Sequence, residues 1–204
     1  MATEREHKFE VMGAFPDVTQ LEAAYAAMGL GLRSQGVRDQ HDVYYDTADL
    51  ILLHANVALR QRNFDGRKVA TYKGVGVVSG SLHTREELEL PYQGSWPDAI
   101  LAKLEPLGVI GALEPLIELS TQRQRYLLVK NAQTQAELTF DEVTSTHEGR
   151  AVSFRELELE ASPDTSDSKL EAFTVPLTRL GLVPYAQDKL THALTLLRRQ
   201  GAQL

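Results

Sequence analysis

The sequence predicts an α+β fold in which one large antiparallel sheet closes into a barrel of about eight strands, with helices packed on its outside. Three observations predict it. Segments that alternate with period two follow one another along most of the chain, and helical periodicity appears only between them and at the C-terminal end. In almost every strand one alternate set of side chains is charged and the other apolar. The helices are amphipathic, so their apolar faces need the apolar strand faces, which leaves the charged faces to meet across an interior.

The first strand is 4–9. Alternate side chains of a strand share a face, so Glu4, Glu6 and Lys8 point one way and Arg5, His7 and Phe9 the other. Pro16-Asp17 starts a helix carrying Val18, Leu21, Ala24, Tyr25 and Met28 at helical spacing, stopped by Gly29 and Gly31. A strand covers 37–45. Asp46-Thr47 is an N-cap for a short helix with Leu50, Ile51, Leu53 and His54. Strands at 57–63 and 68–73 flank Asp65-Gly66, a strong hairpin turn signal. The glycine-rich stretch 74–80 is a flexible connection. It lacks Lys-Ser/Thr and leads into a strand, whereas a phosphate-cradling loop needs a helix N-terminus next.

The next strand is 82–92. Ser95-Trp96-Pro97-Asp98 opens a helix with Ile100, Leu101, Leu104 and Leu107 on one face, ended by Gly108. Strands 116–129 and 134–143 form an antiparallel pair around a turn near Asn131, and Glu148-Gly149 turns into a strand at 150–160. Residues 163–168 are a polar loop, and helices at 169–180 and 187–199 follow. No internal repeat, low-complexity segment or long linker divides the 204 residues, so 1–204 reads as one domain.

The formal net charge of −7 argues against nucleic-acid binding as the main activity, because duplex binding neutralises phosphates with Lys and Arg. It leaves room for a small anion in a local basic pocket. The absence of cysteine excludes disulfides, thiolate chemistry and cysteine-ligated zinc. No apolar run approaches the ~20 residues that span a bilayer, and the N-terminus, charged from Glu4 on, shows no signal-peptide pattern. The expectation is a soluble cytoplasmic protein with no membrane or nucleic-acid partner. A homodimer is left open, since exposed apolar side chains and an interface look alike in sequence.

The charged faces collect two sets. Lys8, Arg60, Arg62, Lys73, Arg85, Arg123 and Arg125 are basic; Glu4, Glu6, Glu87, Glu89, Glu137, Asp141, Glu156, Glu158 and Glu160 are acidic. A flat sheet with its charged face in water is the alternative arrangement. Against it stand the paired arginines, the carboxylate doublets and triplet, and the near balance of the two signs, since desolvated charges persist only when paired or bound to metal. Converging Arg and Lys suit a polyanion with tetrahedral oxyanion groups. Carboxylates without His or Cys suit a hard divalent cation, Mg²⁺ or Mn²⁺. The six histidines have no metal-ligand spacing, and surface or capping roles are expected for each. Phosphates with such a metal point to phosphoryl transfer on a nucleotide or polyphosphate.

Glu4-x-Glu6-x-Lys8 resembles the ExExK signature of the CYTH superfamily, the triphosphate tunnel metalloenzymes. Tyr44-Tyr45-Asp46-Thr47 with Leu50 and Leu53, Ala58-Leu59-Arg60-Gln61-Arg62, Thr71-Tyr72-Lys73-Gly74, Arg85-Glu86-Glu87-Leu88-Glu89, Asp141-Glu142-Val143 and Glu156-Leu157-Glu158-Leu159-Glu160 resemble further family segments in the family's order. Asp188-Lys189 sits where the family often has Ser-Lys.

The resemblance implies an eight-stranded antiparallel tunnel that binds a triphosphate-containing small molecule. It implies that Glu4, Glu6 and one or two of Glu156 and Glu158 hold the divalent metal; because the Glu156, Glu158 and Glu160 triplet shares one parity, which members face the metal stays open. It implies that Lys8, Arg60, Arg62, Lys73, Arg85, Arg123, Arg125 and Lys189 bind the phosphates. Glu87 and Asp141 would serve a second metal or the attacking water, and Lys8 is counted with them in the catalytic set. Family members divide between hydrolysis of inorganic or thiamine triphosphate and cyclisation of ATP by class IV adenylyl cyclases. The charged tunnel with no recognisable base-binding element favours hydrolysis of inorganic triphosphate or a short polyphosphate. A binding module without turnover is the non-enzyme alternative, and the carboxylates argue against it. Trp96 could stack on a substrate ring or serve as a helix-start staple; the second is expected.

Overall fold

The computed structural model describes residues 2–109 and 111–202. Ten strands and five α-helices follow in the order β1 (Ala2–Glu10), α1 (Val18–Ala26), β2 (Gly31–Asp46), α2 (Ile51–His54), β3 (Ala58–Phe64), β4 (Arg67–Lys73), β5 (Val77–Ser79), β6 (Leu82–Pro91), α3 (Asp98–Leu104), β7 (Glu114–Lys130), β8 (Gln133–His147), β9 (Arg150–Ala161), α4 (Asp167–Arg179), β10 (Val183–Pro184) and α5 (Lys189–Arg199). Each strand pairs antiparallel with its neighbours in the order β1-β9-β8-β7-β2-β3-β4-β6, and β6 returns to β1 with Glu4 opposite Arg85. Eight strands thus close a barrel, and β5 and β10 are short additions to β6 and β1.

Local chemistry sets the hairpins. Asp65-Gly66 and Glu148-Gly149 both take positive φ at two successive positions, as does Asn131-Ala132. That conformation matches the right-handed twist of flanking strands, so each forces an immediate antiparallel return. The expected strands are present and several are longer: β2 begins at Gly31, absorbing a register shift between Ser34 and Gly36, and β8 runs on to His147. Residues 74–80 are not wholly a loose connection, because Val77–Ser79 pairs with β6 as β5.

Two apolar clusters lie outside the barrel. Phe9, Tyr126, Leu128, Leu138, Phe140, Leu157 and Leu159 meet Leu21 and Tyr25 of α1 and Leu170, Phe173 and Leu177 of α4. Leu59, Ala70 and Tyr72 meet Leu52 of α2 and Ile100 and Leu104 of α3. Trp96 belongs to this second cluster, edge-on to Tyr45 and Tyr92, which is the staple role. Arg5 and His7 point outward as expected but are not incidental. Arg5 donates to Asp167 at 2.7 Å, and His7 lies between Ser81 and Glu171 (2.8 and 3.2 Å), so both fasten α4 to β1.

One helix departs from the outside arrangement. Ile117 and Leu119 share a face with Arg123, Val143 with Asp141, and Val152 with Glu156. On that inward face these apolar residues pack with Leu190, Ala193, Leu194 and Leu197 of α5. The interior therefore changes along its axis from charged to apolar, and α5 covers the apolar part. That change of character along single strands is why α5 faces inward: its apolar stripe has an inner surface to bury.

Candidate functional site

Strand alternation places the charged sets on the inner wall. Lys8, Arg60, Arg62, Lys73, Arg85, Arg123 and Lys189 line one cavity of about 490 Å³, together with Glu4, Glu87, Glu89, Glu158 and Glu160. Glu6, Asp141 and Glu156 are buried in the wall beside it, at 2%, 0% and 1% exposure. Arg125 is not among its lining residues; it is half-buried and pairs bidentately with Glu137 at 2.8 and 2.7 Å. Among the described residues the one aromatic side chain lining the cavity is Tyr44.

The wall is a lattice of ion pairs. Lys8 Nζ lies 2.7 Å from Glu158 and 3.2 Å from Glu6. Glu4 is held by Lys73 at 2.7 Å and Arg85 at 2.5 Å, and Lys73 also reaches Glu87 at 3.3 Å. Arg123 donates to both oxygens of Asp141 at 2.8 and 2.6 Å and to Glu158 at 2.6 Å. Lys189, the first residue of α5, lies 2.5 Å from Asp141, 2.7 Å from Glu156 and 3.8 Å from Glu158. Its position follows from Asp188, whose side chain caps α5 by accepting from the Thr191 N–H at 2.8 Å.

These environments divide the carboxylates. Burial alone would raise Glu4, but Lys73, Arg85 and Lys8 outweigh it and hold the group well below its ordinary range. Glu158 is likewise lowered, burial being overcome by Lys189, Lys8 and Arg123. Glu6 goes the other way, raised by burial and then by Glu4. Burial raises Glu156 to about 7 despite Lys189 beside it. Carboxylates with raised and with lowered pKa thus sit side by side, an arrangement common where charge is to be handled.

Asp141, Glu156 and Glu158 form the tightest carboxylate group, with ligand oxygens all within 4.8 Å of one another. Both oxygens of Glu156 are buried and accept no directed hydrogen bond, although Lys189 is close. Glu4 and Glu6 lie across Lys8 from this group, and Glu160 faces Glu6 in the β1–β9 ladder.

Four residues escaped the sequence reading. Asp42 is fully buried on the inner face of β2 and accepts both arms of Arg62 at 2.7 Å. Its signal was the alternation Gln40-x-Asp42-x-Tyr44, with a single charge in it. Three histidines, His7, His83 and His192, are buried and not at the surface, and burial lowers the pKa of each. His83 contacts the Tyr185 carbonyl at 3.2 Å, and His192 packs between Phe154 and Tyr185.

A closed antiparallel barrel whose inner wall is a lattice of opposed charges defines a β-tunnel protein. The chain belongs to the CYTH domain family, which matches residues 2–180. Solved structures share the fold. The adenylyl cyclase candidate HpAC1 of Hippeastrum, described as having a dominant triphosphatase activity, is 20% identical over 98% of this chain and 97% of its own, with a TM-score of 0.60. The PH1819 protein of Pyrococcus horikoshii is 22% identical over 96% and 99%, with a TM-score of 0.58. The RNA triphosphatase domain of a mimivirus capping enzyme is 14% identical over 87% and 88%, with a TM-score of 0.52. No curated protein is significantly similar in sequence. Among the described residues, no helix is long and apolar enough to cross a membrane.

Proposed function

We propose that this chain is a divalent-metal-dependent triphosphatase that hydrolyses inorganic triphosphate or another short polyphosphate inside the tunnel. The observation that carries this reading is the cavity lining, where seven Lys and Arg side chains converge from five strands and α5. Three linked phosphates present oxyanions on every side, and cations around a tunnel axis neutralise them without selecting a base or sugar. The size of the cavity is that of a small-molecule site. The scarcity of aromatic lining supports a compact inorganic substrate over a nucleotide.

The donor set fits a hard cation, Mg²⁺ or Mn²⁺. Asp141, Glu156 and Glu158 offer only oxygen ligands, and Glu156 carries orphaned acceptors of the kind a cation satisfies. Glu4 and Glu6 are the further ligands proposed for it. When bound, such an ion neutralises phosphoryl oxygens and lowers the pKa of a coordinated water. Lys8, Arg60, Arg62, Lys73, Arg85, Arg123 and Lys189 hold and orient the phosphates, and Glu87, with one side in the cavity, orients the attacking water.

A second reading, conversion of ATP to cyclic AMP and pyrophosphate, is favoured by fold neighbours described as adenylate cyclase candidates, such as that of Bacillus halodurans (19% identity, TM-score 0.60). Thiamine triphosphate is a further substrate of the same tunnel type. Assays of tripolyphosphate, thiamine triphosphate and ATP, each with Mg²⁺ and with Mn²⁺, separate the three. Phosphate release from tripolyphosphate is the expected main reaction. Cyclic AMP as the main product overturns the hydrolase reading.

A further inference from the structure

We infer that Lys189 is a built-in stand-in for the divalent cation, seated between Asp141 and Glu156 of the Asp141, Glu156 and Glu158 group and giving way to metal by swinging into the cavity it already lines. The inference rests on the metal reading proposed above and goes beyond it by making Lys189 a competitor of the ion.

The geometry carries it. The three ligand oxygens lie within 4.8 Å of one another, close to the separation of about 4 Å between opposite ligands of an octahedral ion with bonds of about 2.1 Å. Lys189 Nζ sits on the Asp141 and Glu156 side of that space, 2.5 Å from Asp141, 2.7 Å from Glu156 and 3.8 Å from Glu158. Two cations cannot share it without direct repulsion. Metal entry and this position of Lys189 are therefore mutually exclusive.

The neighbouring cations differ in what they can release. Arg123 is anchored by two bonds to Asp141 and a third to Glu158, and Lys8 is tied to Glu158 and Glu6. Neither is paired with Glu156; among the described residues that carboxylate has Lys189 alone within salt-bridge distance. Its two oxygens accept no directed bond even so, which marks the ammonium as an imperfect occupant. Lys189 also differs from the other two in standing on a helix and not on a strand of the barrel wall. It starts α5, just after the irregular stretch 185–188, and its four-carbon stem reorients without moving the helix. The same side chain lines the cavity proposed for the phosphates. Displacement by metal thus delivers an ammonium to the substrate side, so metal binding prepares phosphate binding.

The test measures Mn²⁺ binding directly, by calorimetry on the full chain without any triphosphate, in wild type, Lys189→Met and Lys189→Gln. Both variants are expected to bind Mn²⁺ at least about tenfold tighter, equivalent to roughly 1.4 kcal/mol. In wild type, Mn²⁺ is expected to accelerate reductive methylation of Lys189, read by peptide mass spectrometry against the exposed Lys130. Unchanged or weaker Mn²⁺ binding in folded Lys189 variants, with Mn²⁺ still bound by wild type and lost in Glu158→Gln, overturns this inference and leaves the metal reading standing. No Mn²⁺ bound by wild type or variants overturns both. If the substitutions unfold the chain, the methylation experiment on wild type decides, and a rate indifferent to Mn²⁺ overturns the inference.

Discussion

Asp42 and Arg62 are register partners across β2 and β3, and the guanidinium of Arg62 donates to both carboxylate oxygens at 2.7 Å. Arg60 approaches the same carboxylate at 3.6 Å. Asp42 therefore fixes the orientation of two cations of the wall without lining the cavity itself. Asp42→Asn leaves two buried guanidiniums short of a counter-charge, and breaking a buried pair from one side costs about 3–5 kcal/mol. Urea denaturation of the variant is expected to show a loss of that order, with a raised KM for tripolyphosphate. Wild-type stability would contradict this role.

The same carboxylate predicts an acid limb. Burial alone would raise the pKa of Asp42, but Arg60 and Arg62 outweigh it and hold the group well below the ordinary range. An unfolded Asp takes up its proton near pH 4, and the folded one only at lower pH. In that window the unfolded chain binds more protons, so the contribution is present above it and is lost as pH falls. Asp141, Glu4 and Glu158 have the same sign. Stability is expected to fall steeply below about pH 4, and Asp42→Asn to flatten that fall by about one proton. Unfolding midpoints between pH 3 and 7 check both; identical slopes in the two proteins contradict the second.

Much of this was legible because period-two alternation is a strict signal. It put Lys8, Arg60, Arg62, Lys73, Arg85 and Arg123 on one face with Glu4, Glu87, Glu89, Glu158 and Glu160, and the turns at Asp65-Gly66 and Glu148-Gly149 fixed the antiparallel returns of their strands. Asp42 was not legible, since one acid between Gln40 and Tyr44 looks like a solvated side chain until its partner Arg62 is placed across the ladder. The inward packing of α5 was hidden for a related reason. Val143 and Val152 share parity with Asp141 and Glu156, and only the barrel shows that the inner face turns apolar beyond the charges. Arg123 and Arg125 are equal in sequence, but their depth along the tunnel separates them.

That separation is measurable. Arg123 lines the cavity and links Asp141 to Glu158, whereas Arg125 makes one bidentate pair with Glu137 at about a quarter exposure on each side. Partly exposed pairs contribute about 0–1 kcal/mol. Arg125→Ala is expected to keep stability within that range and turnover within a few-fold of wild type. Arg123→Ala removes the guanidinium that bridges Asp141 and Glu158 and is expected to lose turnover by about a hundredfold or more. Steady-state kinetics on tripolyphosphate compare them, and equal losses would place both in the site.

Asp46 shows how a charge can be structural inside a family-like segment. Its Oδ1 accepts from the N–H groups of Thr47 and Leu52 at 2.7 and 2.9 Å, and its Oδ2 from Leu53 at 2.8 Å. The Leu52 and Leu53 N–H groups are donors that a four-residue helix leaves unpaired. Leu52, buried in the cluster with Leu59, depends on that anchoring. Asp46→Ala is expected to cost about 2 kcal/mol or more, with faster amide exchange at Leu52 and Leu53. Protection unchanged at those two amides would deny the capping role.

Glu6 offers the cleanest separation of chemistry from folding. It is buried at 2% exposure, 3.2 Å from Lys8 and 3.3 Å from Arg85. Both cations keep a second carboxylate when it is removed: Lys8 retains Glu158 at 2.7 Å, and Arg85 retains Glu4 at 2.5 Å. No buried cation is orphaned, and a carboxylate whose pKa is raised by burial and by Glu4 is taken away. Glu6→Ala is therefore expected to shift the unfolding midpoint by no more than the equivalent of about 1–2 kcal/mol. As a proposed metal ligand it is expected to abolish metal-dependent turnover at the same time. Melting curves and phosphate release, measured on one preparation with Mg²⁺ and with Mn²⁺, decide the matter. A folded variant with undiminished turnover removes Glu6 from the metal site, and an unfolded one shows that its pairs with Lys8 and Arg85 hold the barrel closed.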